Sequence, residues 1–191
     1  MRSQIRPALM ALLIFTVLTG LLYPLVVTGI AQLAFPHQAN GSLIVVNGKT
    51  VGSSLIGQQF TDPKYFWGRL SATGPYPYNA SSSSGSNLGP TNPALLDEAK
   101  ARIAALKAAD PTNTQLIPVD LVTSSGSGLD PDISVAAVLY QLPRVARLRG
   151  LSESAVRALV NKYTQGRTLG FLGEPTVNVL QLNLALDVLK P

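Results

Sequence analysis

Between Arg6 and Lys49 the chain carries no Asp, Glu, Lys or Arg, and its stretch from Ala8 to Ala34, ALMALLIFTVLTGLLYPLVVTGIAQLA, is predominantly apolar. No other feature constrains the fold as much. A helix rises about 1.5 Å per residue, so this stretch spans roughly 40 Å. The hydrocarbon core is about 30 Å thick and takes about 20 apolar residues, which leaves room for tilt. A helix seated on a soluble core shows a polar face, whereas this one is apolar all round. The expectation is a single transmembrane helix over 8–34, preceded by a short tail over 1–7. A cleaved signal peptide competes with that reading, with Gly29-Ile30-Ala31 as a small-x-small match. Its apolar core would run only about 7–15 residues, and this run is longer.

The flanks predict the orientation. Arg2, Arg6 and the α-amino group precede the helix, while only His37 lies between it and Lys49. By the positive-inside rule the tail stays cytoplasmic and residues 35–191 form an exported soluble domain, single-pass in the cell (inner) membrane. Pro24 interrupts the span. A carbonyl that loses its partner there must be satisfied by a neighbouring helix, a hydroxyl or a local adjustment of the helix. Gly20, Tyr23, Pro24, Thr28 and Gly29 are therefore candidates for packing against another membrane helix, since small residues let backbones approach. A mere tether needs none of them.

The part beyond the span has the length of one ordinary domain. The chain has 191 residues with net charge +5, of which two basic residues sit in the tail. That excess is too mild for nucleic acid, and no basic stripe is interleaved with aromatics. There is no Cys and His37 is the sole His. A disulfide framework, a thiolate or His-based metal site and a Cys nucleophile are thereby excluded. A Ser-His-Asp triad would have to use His37, which sits at the membrane exit. No catalytic and no metal-binding residue is expected.

Local signals predict an α+β domain. Asn47-Gly48 between the runs SLIVV and KTVGSSLI reads as a hairpin with a type I′ turn. Phe60, Tyr65, Phe66, Trp67, Tyr76 and Tyr78 then cluster, either as a binding surface or, for Phe60 and Phe66, as core. Residues 79–93, NASSSSGSNLGPTNP, read as a flexible loop. Asn92 and Pro93 open a helix that buries Leu95, Ile103 and Leu106, with Leu96 and Ala99 nearby, and that Asp110-Pro111 stops. Val119, Leu121 and Thr123 alternate as a short strand running into Ser124, Ser125, Gly126, Ser127 and Gly128. A strand, a Gly-rich turn and a helix is a context that cradles phosphate, so these five residues are weak nucleotide-binding candidates; the competing reading is a tight structural connection. Asp132 or Ser134 caps the next helix, which Pro143 should kink. Arg144, Arg147 and Arg149 around its end suit the helix macrodipole or an anion patch. Gly150 ends that helix and Ser152 opens another reaching about Thr164. A strand over 176–181 and a short helix close the chain.

Taken in order, several blocks carry a family resemblance: YPLVVTGIAQLAFPHQANGSL, GSSLIGQQF, YFWGR, SGSNLGPTNP, PVDLVTSSGSGLDPDIS, RVARLRGL and GRTLGFLGEPTVNVLQLNLALD. The chain resembles the C subunit of the Kdp-type potassium-transporting ATPase of bacteria and archaea. Leu70 departs from the Pro expected after Gly-Arg, which relaxes the backbone after Arg69, and a second small departure is the Asp at 132, between Pro131 and Ile133. The resemblance implies a non-catalytic accessory subunit of an ATP-driven, high-affinity potassium uptake complex, bound in the lipid membrane. Its implied partners are a P-type ATPase subunit, a channel-like K⁺-binding subunit and a small membrane subunit. K⁺ is the implied transported ion, ATP sits mainly on the partner ATPase subunit, and no cofactor is expected on this chain. The resemblance also implies promotion of ATP binding by the ATPase subunit. The expected topology places Ser124–Gly128 away from cytoplasmic ATP, which favours an assembly and cation-access role. The alternative classes are a membrane-tethered exported enzyme using Ser125, Asp130 and Asp132, and a scaffold unrelated to K⁺ transport. The chain lacks the DKTGT segment of a P-type pump and any Walker motif.

Overall fold

The computed structural model describes residues 2–189; Met1, whose α-amino group entered the orientation argument, and Lys190 and Pro191 lie outside the described residues. The chain divides into two units, one up to Val51 and one from Gly52 onward. It combines helices with two small sheets.

In the first unit, a helix runs without interruption over Ser3–Ala34, a length and composition able to cross a membrane. It begins as α1 (Arg2–Val17) and ends as α2 (Tyr23–Ala34), joined by one wide π-helical stretch over Leu18–Leu22. The adjustment expected at Pro24 is therefore found immediately before it. Pro24 has no N–H to give, and the wide turn shifts the bonding so that the Tyr23 N–H reaches back to the Leu18 carbonyl. The Thr19 hydroxyl also donates to the Phe15 carbonyl, at 2.6 Å. Phe35 breaks the helix, and Pro36 opens the single turn α3 (Pro36–Ala39). The hairpin follows as β1 (Leu43–Val46) and β2 (Lys49–Ser53). Asn47 at φ 51° and Gly48 at φ 75° supply the two left-handed positions that a type I′ turn requires.

The second unit is organised around α5 (Val135–Arg149), whose Val138, Leu142 and Val145 are fully buried. The helix α4 (Pro93–Ala109) precedes it, with Asn92 accepting the Ala94 N–H at 3.0 Å and Leu106 as its buried residue. Leu96, expected near that buried face, is exposed. After α5 come α6 (Glu153–Tyr163), β4 (Thr164–Gln165), β5 (Thr176–Asn178) and α7 (Val179–Val188). With β3 (Asp132–Ser134) the last two strands form an antiparallel sheet ordered β3-β5-β4, pairing Ile133 with Val177 and Val177 with Thr164.

Two strands end on the residue that caps the next helix. Ser134 Oγ accepts the Ala137 N–H at 3.0 Å, and Asn178 Oδ1 accepts the Gln181 N–H at 3.1 Å. The second cap cuts the strand expected over 176–181 to three residues. Asp132, the other cap candidate, lies in β3. Pro143 sits inside α5, which continues through it to Gly150 at φ 65°. Ser152 caps α6 as expected, accepting from Ala155 at 3.2 Å.

The strand expected at 119–123 is not formed. Val119–Leu121 is a short 3₁₀ turn in which Leu121 is fully buried and Val119 is 71% exposed. Asp120 is the physical reason, since its carboxylate accepts from the Ser134 N–H at 2.8 Å and the Ser134 hydroxyl at 3.1 Å. That bond ties the turn to the start of α5, and the Thr123 hydroxyl donates back to the Val119 carbonyl at 2.9 Å.

Candidate functional site

The aromatic segment around Trp67 belongs to no helix or sheet, yet it lies inside the second unit. Phe66 and Trp67 are buried, so their backbone polar groups must find partners inside the protein. Two amide side chains supply them. Asn183 of α7 accepts the Phe66 N–H and donates to the Phe66 carbonyl, both at 2.9 Å. Gln141 of α5 accepts the Trp67 N–H at 2.8 Å and donates to the Trp67 carbonyl at 3.1 Å. Each amide thus does for one residue what a neighbouring strand does in a sheet. The sequence signal was a lone Gln in VAAVLYQLP and a lone Asn in LQLNLAL, amides inside apolar helical runs.

Two guanidiniums lie over the Trp67 ring, Arg102 at 5.0 Å and Arg144 at 4.9 Å from its centroid. Neither forms a salt bridge with a carboxylate among the described residues. Arg144, 2% exposed, donates to the carbonyls of Pro63 and Tyr65 and to Gln141 Oε1. Burial lowers its pKa to about 10. Arg102 donates to the carbonyls of Leu121 at 3.0 Å and Gly68 at 2.7 Å, and burial lowers its pKa as well. The other arginines of α5 are also engaged. Arg147 pairs with buried Asp110 at 2.7 Å, and Arg149 pairs with Asp187 at 2.8 Å while lying over Tyr65. The three arginines read as a macrodipole effect or an anion patch are therefore individually bonded, and Arg144 is a core residue. The Arg102 side chain, with Gln59, Phe60, Arg69 and Tyr78, lines an open cleft of ≈ 330 Å³.

Tyr78 closes one side of that cleft. A Cβ on Gly57 would stand 2.4 Å from its ring, and one on Gly68 2.8 Å from its hydroxyl, so both glycines make room for it. The hydroxyl donates to the Arg69 carbonyl, and burial pushes its pKa up to about 12.

The five weak nucleotide candidates are packed against this region. The loop from Ser124 to Gly128 runs on to β3, not into a helix N-terminus, so the strand–turn–helix arrangement expected there is absent. The Ser125 N–H donates to the Leu70 carbonyl at 3.1 Å, and Leu70, expected to loosen the backbone, bridges to Ser124. The Gly128 carbonyl accepts the Ser71 hydroxyl at 2.6 Å, and the Ser127 carbonyl accepts the Ser84 N–H at 3.0 Å. Gly128, at φ 68°, has no space for a Cβ, which would lie 2.5 Å from Thr73 and 2.6 Å from the Ser84 carbonyl. The 79–93 stretch, read as flexible, is thereby pinned at Ser84. Ser124 O accepts from Arg69, whose guanidinium pairs with Asp130 at 3.0 Å.

In the first unit, Gly20, Tyr23, Pro24, Thr28 and Gly29 are all exposed on the apolar helix. Among the described residues of that unit, a Cβ at Gly20 or Gly29 would meet nothing within 4 Å.

A helix long and apolar enough to cross a membrane, followed by a mixed helix-and-sheet unit, is the build of a membrane-associated protein. A family signature described as KdpC, the c chain of the K⁺-transporting ATPase, matches residues 5–188. A potassium-transporting ATPase KdpC subunit of Herpetosiphon aurantiacus is 66% identical over 190 residues, covering 100% of this chain and 98% of that protein. The subunits of that name from Methylococcus capsulatus and Polaromonas naphthalenivorans are 63% and 65% identical, covering 100% of this chain and 100% and 97% of those proteins. The chain belongs to the KdpC family.

Proposed function

We propose that this chain is the non-catalytic accessory subunit of an ATP-driven, high-affinity potassium uptake complex, where it holds the P-type ATPase subunit and the channel-like K⁺-binding subunit together with a small membrane subunit. The family match over nearly the whole chain carries this reading. In this reading ATP is bound and hydrolysed on the ATPase subunit and K⁺ passes through the channel-like one. Residues 35–191 lie on the outer side of the membrane and the tail stays cytoplasmic, in keeping with Arg6 before the span and the uncharged stretch after it.

The span is a docking helix in this reading, packed through Gly20, Tyr23, Pro24, Thr28 and Gly29. Two observations support it. Among the described residues of the first unit nothing occupies the space beside Gly20 or Gly29, although Gly costs a helix about 1 kcal/mol relative to Ala. The π-helical stretch before Pro24 is the kind of local irregularity that gathers at functional positions of helices. The test is to co-express a chain lacking residues 1–35, exported by a cleavable signal, with the other subunits. Loss of both co-purification and K⁺ uptake is the expected result. Full assembly and uptake without the span would overturn the docking role, and failure of the intact chain to co-purify with a P-type ATPase would overturn the assembly role.

A further inference from the structure

We propose that the cleft over Trp67 is a binding site for a carboxylate on a small apolar stem, received by the Arg102 guanidinium. The charges of the cleft select that ligand. Arg69 and Arg102 are the charged residues that line it. Arg69 pairs with Asp130 at 3.0 Å, so its charge is already balanced. Arg102 pairs with no carboxylate among the described residues. Glu98, one helical turn earlier, stands at the spacing of a surface ion pair, yet it is exposed and Arg102 turns inward instead. The cleft is thus left with one positive charge in excess. Such a charge, drawn partly out of water, gains most from an anion that reaches it there.

The guanidinium is set in place before any ligand arrives. Its Nε donates to the Leu121 carbonyl and its Nη2 to the Gly68 carbonyl, and it lies over the Trp67 ring. Nη1 makes no hydrogen bond among the described residues and is open to solvent. A donor fixed in this way makes a charge-assisted bond with little loss of side-chain freedom. Tyr78 cannot supply the missing charge. Its hydroxyl donates to the Arg69 carbonyl, and its burial keeps the phenol protonated.

The walls fit the stem. Phe60, Trp67, Pro77, Tyr78 and Ala105 line a cleft of ≈ 330 Å³, within the size range of sites for small organic ligands. One excess charge and one free donor edge match a carboxylate. A phosphate monoester carries about −1.5 to −2 near neutral pH and would remain unbalanced there.

Trp67 is the sole Trp of the chain, so its fluorescence reports on the cleft. The full chain in detergent is titrated with phenylacetate, with neutral phenylacetamide and with inorganic phosphate. Phenylacetate should give a saturable change in emission. The other two should bind at least about tenfold more weakly, the usual worth of a charge-assisted bond. Arg102→Gln should lose the same factor. Because Arg102 also holds Leu121 and Gly68, a second variant keeps the test independent of folding. Ala105→Glu sets a carboxylate on the exposed wall of the cleft and should abolish phenylacetate binding at an equal or higher thermal midpoint. No saturable change, equal binding of the amide, tighter binding of phosphate, or undiminished binding in Ala105→Glu would each overturn the proposal. The same variant then separates the two sources of the carboxylate. Recovery of the complex falls about tenfold if it is a side chain of another transporter subunit, and is unchanged if it is a free organic acid. That last comparison rests on the assembly reading above, whereas the titrations do not, so the two fail separately.

Discussion

The apolar helix Ser3–Ala34 has no buried residue among the described residues of its own unit, while α5, which carries three arginines and a glutamine, holds much of the core of the second unit. Hydropathy alone would assign them the other way round. The difference teaches that burial in the second unit follows bonding partners as much as apolarity. Arg144 and Gln141 are interior because the carbonyls of Pro63, Tyr65 and Trp67 need donors there and the Trp67 N–H needs an acceptor. The first helix satisfies its own backbone and asks for a solvent that is apolar all round.

Breaking the interior arginine should have the largest effect. Arg144→Ala strands the carbonyls of Pro63 and Tyr65 and removes a cation from the Trp67 ring, and it should cost about 2–6 kcal/mol in denaturant unfolding of the full chain in detergent, at about 1–3 kcal/mol for each stranded acceptor. Arg144→Lys should recover little, since an ammonium cannot fork to two carbonyls. The matching disruption of the first helix is Leu21→Arg, where a charge near mid-span costs roughly 2.5–3.5 kcal/mol of insertion. Resistance of the chain to alkaline extraction from membranes should fall accordingly. A milder change sharpens the comparison. Gln141→Leu makes α5 more apolar, yet it should destabilise by about 1–3 kcal/mol because the Trp67 N–H loses its acceptor. Equal or greater stability in that variant would mean that apolarity alone governs burial.

The smallest effect concerns Asp132, one of whose carboxylate oxygens is buried without a partner while the other accepts from Thr176 at 3.1 Å. Burial first, and the nearby Asp130 charge after it, raise its pKa above the ordinary carboxylate value. The folded state therefore holds that proton more tightly than the unfolded one. Its contribution favours folding below the ordinary carboxylate pKa and is lost as pH rises through the raised value. Asp132→Asn should match the parent chain in acid and become the more stable of the two towards neutral pH, as read from thermal midpoints across that range.

The features legible in the sequence are those set by local chemistry. The Asn47-Gly48 hairpin, the Asn92 and Ser152 caps and the Gly150 stop each depend on a few adjacent residues, and the structure holds each of them. The same holds for the adjustment around Pro24. The strand expected over 119–123 failed because Asp120 bonds to Ser134, fourteen residues away, which local alternation does not reveal. The individual bonds of the α5 arginines were illegible for the same reason, since their partners Asp110, Asp187, Pro63 and Trp67 come from distant segments.

By itself the sequence determined the long apolar helix that contains residues 8–34, the capped helices and the family, because composition, period and motif order are one-dimensional properties. Only the tertiary structure decided that Ser124–Gly128 leads into a strand and packs under Ser71 and Ser84, and that a charged helix forms the centre of the fold. It also decided that the apolar stretch Leu169–Leu172 stays outside the core. The physical reason is that a buried polar group is satisfied by whichever distant atom the fold brings within about 3 Å, and an apolar side chain is buried only where the fold leaves room for it.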